Sequence, residues 1–473
     1  MKKAKLLVLA IASVITAHGA STLAFDADFI SGVPMNQARM AHNQLALDDG
    51  TVLVFGGHGT GFVSLVTAEA LYPGAHSFDT LSMLYSHDWP AFAVRGNGEV
   101  LLAGGSKDSG IPGYTWAETF DPTTELFSAT ARPLNRLRTG CGAAYLTGGK
   151  ALIAGGWYTQ SDAYAYGELY DPGTRTFTAT GALNASRAYP VVLPDNGGNG
   201  VVLGGYHYTA GTTIDKVELY QTATNAFSVL QESLFPPETG WGVNTLTRPI
   251  QDQALSNGRY LLLASRYNGS VYQYRLFTYD PETRAIEPFE TTPALPDSSE
   301  FAFLQPVVDR GRGKARLLAF NMSFTGQGNE YYLFSLDLAN GGLEQSDSAH
   351  VLPYNLGWGG LTLLPNGNLF ATGGSVTNNF DPVSETLVIV PYDQDVTQIC
   401  SSEAINIQDE TYQGTWLIRT ETTLTTAGAV VVLPDAHVSF EAQESIVLGS
   451  GFAVNAGGRF HASVAPVSCE AAI

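Results

Sequence analysis

The chain has 473 residues, with 44 acids against 24 bases for a net charge of −20, and only 14% of its residues are charged. Hydrophobic residues make up 44% and aromatics 11%, which excludes a disordered chain, while the scarcity of charge excludes coiled coils and long helical arrays. The negative field also excludes binding of nucleic acid or other polyanions by bulk charge.

In chain order the first element is a targeting segment. Lys2, Lys3 and Lys5 precede an apolar run over residues 6–16, and small residues follow over 17–24. This layout predicts a secretory signal peptide over 1–24, cleaved after Gly19 or after Ala24. Its removal takes three lysines and no acids, so the mature charge becomes −23. The apolar run is too short to span a bilayer, and no later stretch reaches about 20 continuous apolar residues. The expectation is an exported chain without a membrane span, secreted or held in the cell envelope, of bacterial type.

Residues 25–395 then repeat. "LALDDGTVLVFGG" ends at Gly57, and relatives end at Gly105, Gly156, Gly205 and Gly374. A turn glycine precedes each of these by seven residues: Gly50, Gly98, Gly149, Gly198 and Gly367. Copies around Gly258 and Gly313 keep the turn and lose the glycine pair. The seven turn glycines lie 48, 51, 49, 60, 55 and 54 residues apart. Each copy reads as strand, tight turn, strand. A third strand follows in segments such as "AETFDP" and "GELYDP", whose Asp-Pro makes a turn. A fourth begins at Phe78, Phe127, Phe177 and Phe227.

Four strands per unit, this period, and a Gly-Gly after the second strand resemble the kelch repeat, over residues 30–392. The resemblance implies an all-β, seven-bladed β-propeller of the kind that galactose oxidase also uses. The tryptophan that usually opens strand four is Phe, Ile or Leu here. Residues 25–35, "FDADFISGVPM", resemble a fourth strand and are placed to close the ring against the last blade.

The pattern changes over 396–473. Val438, Phe440, Ile446, Leu448, Phe452, Val454 and Phe460 recur at short steps between Gly-rich corners, which predicts a small β-solenoid or sandwich. Three cysteines allow three pairings, of which Cys400–Cys469 brackets this module. Export favours that disulfide. Cys141, inside an apolar strand, reads as a buried inert thiol.

A residue recurring at one place in several blades reads as scaffold, and one that breaks the repeat as a functional candidate. Glu118, Glu168 and Glu218 precede the strand-three aromatic by two residues, and Arg39, Arg138 and Arg187, with His87, share a place eleven before the turn glycine. These predict salt bridges and hydrogen bonds between blades; the other reading is a basic ring for an anionic ligand. The galactose oxidase resemblance brings a copper centre of two Tyr and two His, with one Tyr linked to a Cys. The place three residues after the repeat arginine holds His42, Pro90, Cys141, Pro190, Ile250, Gln305 and Gly359. One histidine there does not make that centre, so no catalytic residue, metal or cofactor is predicted. "GGHGTG" opens no helix, so it is not a phosphate loop.

Loops joining strands two and three carry Tyr114, Trp116, Trp157, Tyr158, Tyr164, Tyr206, His207, Tyr208, Tyr267 and Tyr272. Aromatic faces beside amides suit sugars or extended peptides. The long connection over 231–248, with Trp241 and Arg248, is a second candidate surface. The expected function is an exported binding or adhesion module for a glycan or extracellular surface protein. Alternatives are an extracellular carbohydrate-active oxidase or hydrolase, and a structural envelope component.

Overall fold

A computed structural model describes residues 26–106, 115–158, 164–207, 209–243, 250–297, 301–321, 329–346, 350–376 and 381–392, and, with short gaps, the strands between 397 and 464. All seven turn glycines adopt left-handed φ angles between 64° and 91°, a conformation that glycine takes without a Cβ clash. Each therefore closes a tight turn at the start of one unit.

Seven antiparallel sheets result. Blade 1 is Asn43–Ala46, Val52–Phe55, Thr67–Leu71 and Asp79–Ser82, paired in that order. Blades 2, 3 and 4 repeat it over 91–129, 142–182 and 191–231, blade 5 covers 242–288 and blade 6 covers 301–352. Inner strands of neighbouring blades pack on one another and so line the axis. Blade 7 takes Gly360–Leu363, Leu369–Thr372 and Thr386–Tyr392 from late in the chain, and its outer strand, Asp26–Ser31, from the beginning. Gly32 N–H donates to Thr386 O at 2.9 Å and Met35 N–H to Ser384 O at 2.8 Å, continuing that closure. The ring is a seven-bladed β-propeller, closed by the early segment as its sequence implied.

Antiparallel order settles which loops share a face. The inner strand begins where the second ends, where the third begins and where the fourth ends. Loops between strands two and three, and connections between blades, therefore lie together on what we call the upper face. The two candidate surfaces separated by the sequence reading are one.

The glycine pairs end strand two and let the next blade approach. A Cβ on Gly155 would lie 2.4 Å from the Arg187 carbonyl oxygen of blade 4, and one on Gly373 2.3 Å from that of Arg39. Blades 5 and 6 lack the pair, and their second strands, Tyr260–Tyr267 and Lys314–Asn321, run eight residues where the other blades have four. The extra length is at the upper end, so these hairpins rise about 13 Å higher, at roughly 3.3 Å per residue.

A second compact unit includes Tyr392–Ile473. It is a parallel β-solenoid with three sheet faces, which decides between the two predicted forms. Thr415 pairs with His437 and His437 with Arg459, a coil of 22 residues. Ile418, Leu424, Val430, Val438 and Phe440 fill its interior. The Cys400–Cys469 pairing lies outside the described residues.

Gly155→Ala should destabilise the propeller strongly, because its φ is +67° and its Cβ meets backbone. Gly61→Ala, with φ +73° but open space, should lose only the roughly 1–2 kcal/mol of a left-handed side chain. Thermal unfolding of the two variants checks the difference.

Candidate functional site

The site is built on a buried ion pair. Arg39 Nη2 meets Glu69 Oε1 at 2.6 Å, Arg138 meets Glu168 at 3.0 Å and Arg187 meets Glu218 at 2.7 Å, all fully or almost fully buried. In blade 2, His87 Nε2 lies 3.2 Å from Glu118, and Nδ1–H donates to Gly104 O at 2.6 Å. These pairs join two places within one blade, which corrects the expectation of salt bridges between blades and removes the basic ring. A buried guanidinium must satisfy its donors. Arg138 Nη1 donates to Gly155 O and Tyr166 O, both at 3.1 Å, and Arg187 Nη1 to Gly204 O and Lys216 O. Each carboxylate also accepts backbone N–H from the preceding connection, as Glu218 does from Asn184 and Ala185. Backbone hydrogen bonds from the same segments link neighbouring blades: Gly156 N–H donates to Arg187 O at 2.9 Å and Gly105 N–H to Arg138 O at 2.8 Å.

Two residues beyond this anchor, the chain turns left-handed at Ala41, Trp89, Gly140 and Tyr189, with φ between 51° and 59°. Hydrogen bonds link these positions around the axis: Gly140 N–H to Trp89 O at 3.0 Å, Tyr189 N–H to Gly140 O at 2.7 Å, and Ala41 N–H to Trp358 O of blade 7 at 2.7 Å. The backbone is common to the blades, but the side chains differ. Trp89 lies 5.7 Å from Trp358 and 5.9 Å from Tyr189 between ring centroids. Those rings come from blades 2, 7 and 4, which are not neighbours, so they meet on the axis. Ala41 and Gly140 leave the room: a Cβ on Gly140 would come within 2.5 Å of the Tyr189 ring. Trp157 Nε1 donates to Tyr189 Oη at 3.1 Å. Trp358 is 39% exposed, so the cluster opens to solvent.

Beside it, His58 Nδ1 lies 3.0 Å from Asp88 Oδ1 across the gap between blades 1 and 2. Asp88 Oδ2 accepts from Ser106 Oγ at 3.0 Å. The His58 ring lies 5.0 Å from Phe62 and 6.2 Å from Trp89; both of its nitrogens are buried without a hydrogen-bond partner, Nδ1 approaching Asp88 outside hydrogen-bond geometry.

Of the residues the sequence singled out, Trp157 joins the axial cluster. Tyr158 is half-buried, as are Tyr206 and His207 on a short hairpin with Thr212–Thr213. Trp116 is exposed and stacks on Tyr85 at 5.1 Å. Tyr267 and Tyr272 stand at the tip of the raised blade 5 hairpin. Trp241, expected at the surface, is 2% exposed. Arg266 and Arg275 lie over its ring at 4.7 and 4.6 Å, and its Nε1 donates to Glu238. Trp241 is therefore part of the packing and not an open surface. Tyr114, Tyr208 and Arg248 lie outside the described residues. Trp89, Tyr189 and Trp358 were missed, although the place two after the repeat arginine was readable and its residues differ in size from blade to blade.

The histidines do not fit a copper centre of two His and two Tyr. His42 is buried against Thr372 Oγ1 at 2.8 Å, and burial with the nearby Arg39 lowers its pKa to about 3. His87 is held by Glu118 and Gly104, and His350 by Ala27 O and the Phe29 ring. His207 Nδ1 accepts from Ala210 N–H. Cys141 is a buried free thiol whose pKa burial raises to about 12. Among the described residues, no group of three or more His, Cys, Asp or Glu could hold a metal ion.

No protein-family model matches this chain, and no curated protein sequence matches it. Among solved structures it is similar to a fungal alcohol oxidase of the AA5 family, determined in complex with copper, at TM-score 0.53 and 14% identity, over 78% of this chain and 77% of that one. At that identity the likeness shows the fold alone: the galactose oxidase-like propeller.

Two outcomes follow for the anchors. Arg138→Met strands the buried Glu168 charge and should lower stability by about 3–5 kcal/mol, while the Arg138→Met/Glu168→Leu double variant recovers much of it in denaturant unfolding. His42 is neutral when folded and takes up a proton near pH 6.5 when unfolded, so its contribution is present above pH 6.5 and is lost as pH falls toward about 3. The melting-temperature gap between wild type and His42→Asn should narrow as pH is lowered through that window; a constant gap overturns the assignment.

Proposed function

We propose that this is an exported binding protein that receives a glycan on the upper face, at the axial cluster of Trp89, Tyr189 and Trp358. The supporting observation is the pair of large aromatics in left-handed backbone. A bulky residue at positive φ is strained, and such strain concentrates at functional sites. Two of the four positions that share this backbone carry Ala41 or Gly140, so the fold does not require a large ring there. Aromatic rings on an open surface stack on the apolar faces of sugars, and the neighbouring hydroxyls and carboxylates meet sugar hydroxyls. The net charge of −20 favours an uncharged glycan over a polyanionic one.

A carbohydrate-active enzyme is the second reading, and His58 favours it. A buried imidazole nitrogen without a partner, close to a carboxylate and set beside the axial rings, has the form of a general base. Neither the fold nor its likeness to an oxidase chooses between binding and catalysis.

A glycan array on the purified protein tests the first reading. Trp89→Gly should abolish binding and leave the fold intact, because glycine relieves the φ of +51°. Binding unchanged in Trp89→Gly and Trp358→Ala removes the axial site. Turnover of a bound sugar that disappears in His58→Gln moves the assignment to an enzyme.

A further inference from the structure

The raised hairpin of blade 5 carries aromatic rings that its core does not use. Tyr267 and Tyr272 are the last cross-strand pair before the turn, with ring centroids 5.0 Å apart and planes at 47°. They are 57% and 37% exposed. Tyr274, two residues on and so on the same side of the strand, stacks on Tyr272 at 6.5 Å and meets Phe303 of blade 6 edge-on at 4.8 Å. Of the three rings, the innermost is the one that meets Phe303 of blade 6. The side bearing the tyrosines therefore faces blade 6, whose hairpin is also raised; the other side carries Arg275, which lies over Trp241.

The tip is rigid. Asn268 Oδ1 accepts from Ser270 N–H and Val271 N–H, both at 3.0 Å, so the turn satisfies itself. Below it, Gln273 bonds Arg266 and exposed Asp297. Rings already packed on one another lose less entropy than free ones when a ligand stacks on them. Two planes tilted by 47° do not form one flat surface. They suit successive rings of a single twisted chain.

We propose that Tyr267 and Tyr272 form a second sugar-stacking platform, and that the ligand is a soluble, uncharged polysaccharide chain that spans it and the axial cluster. This rests on the glycan-binding reading. Both platforms are on the upper face, so one chain laid from the axis toward blade 5 meets both. Linking two weak contacts in one ligand raises affinity steeply once the ligand is long enough.

Titration calorimetry of the mature chain against neutral cello-, xylo-, manno- and chito-oligosaccharide series, with hyaluronan as the charged control, tests this. For the wild type, affinity should rise by about 10-fold or more from short to long members of the series that binds. Tyr267→Ala/Tyr272→Ala should keep short-chain affinity and lose that gain, whereas Trp89→Gly should lose binding at every length. Long-chain affinity within about twofold of wild type in the tyrosine variant overturns the second platform and leaves the axial site standing. Failure of every neutral series to bind wild type, or tighter binding of hyaluronan, overturns both.

Discussion

A buried guanidinium can be tolerated only when a carboxylate and several carbonyls meet it, and this requirement organises the upper end of the blades. Arg39, Arg138 and Arg187 reach their own blade's Glu69, Glu168 and Glu218. The same carboxylates draw in the backbone of the preceding connection. Once the connection is held at its arginine, the residue two further on has little freedom. It takes the left-handed turn and projects at the axis. The ion pair thus positions a place where side chains can be exchanged without touching the scaffold, and there Trp89 and Tyr189 differ from Ala41 and Gly140.

Edge protection is the complementary constraint. An open sheet edge invites further pairing. A ring of blades has two ends to join, and here Asp26–Ser31 supplies the outer strand of the last blade. Blades 5 and 6 depart from the rest for a reason visible in composition. Without the glycine pair the second strand has no break, continues upward, and gives the face two raised walls on one side. The asymmetry of the face is a consequence of which units kept their glycines.

Much of this was legible beforehand. The repeated Gly50-to-Gly57 spacing, the Asp-Pro turns and the leading "FDADFIS" segment identified strands, blades and closure, because hairpins and turns depend on nearest neighbours in sequence. Glu168 and Arg138 were recognised as scaffold from repetition alone. Loop aromatics were a weaker guide. Trp157 reached the axis, but Trp241 was enclosed by Arg266 and Arg275, which are more than twenty residues distant in sequence. Composition does not distinguish an aromatic on a surface from one under two guanidinium groups.

By itself, then, the sequence determined the unit, the number of units and the order in which they pair, since local turn chemistry and strand alternation carry that information. It also determined the acidic charge, now read as a bias toward neutral ligands. Only the tertiary structure decided that the connections and the strand two–three loops share one face, that the arginines pair within blades, and that Trp89, Tyr189 and Trp358 meet. Those facts join residues from blades far apart along the chain. Ring closure brings them together on an axis that no local segment of sequence contains.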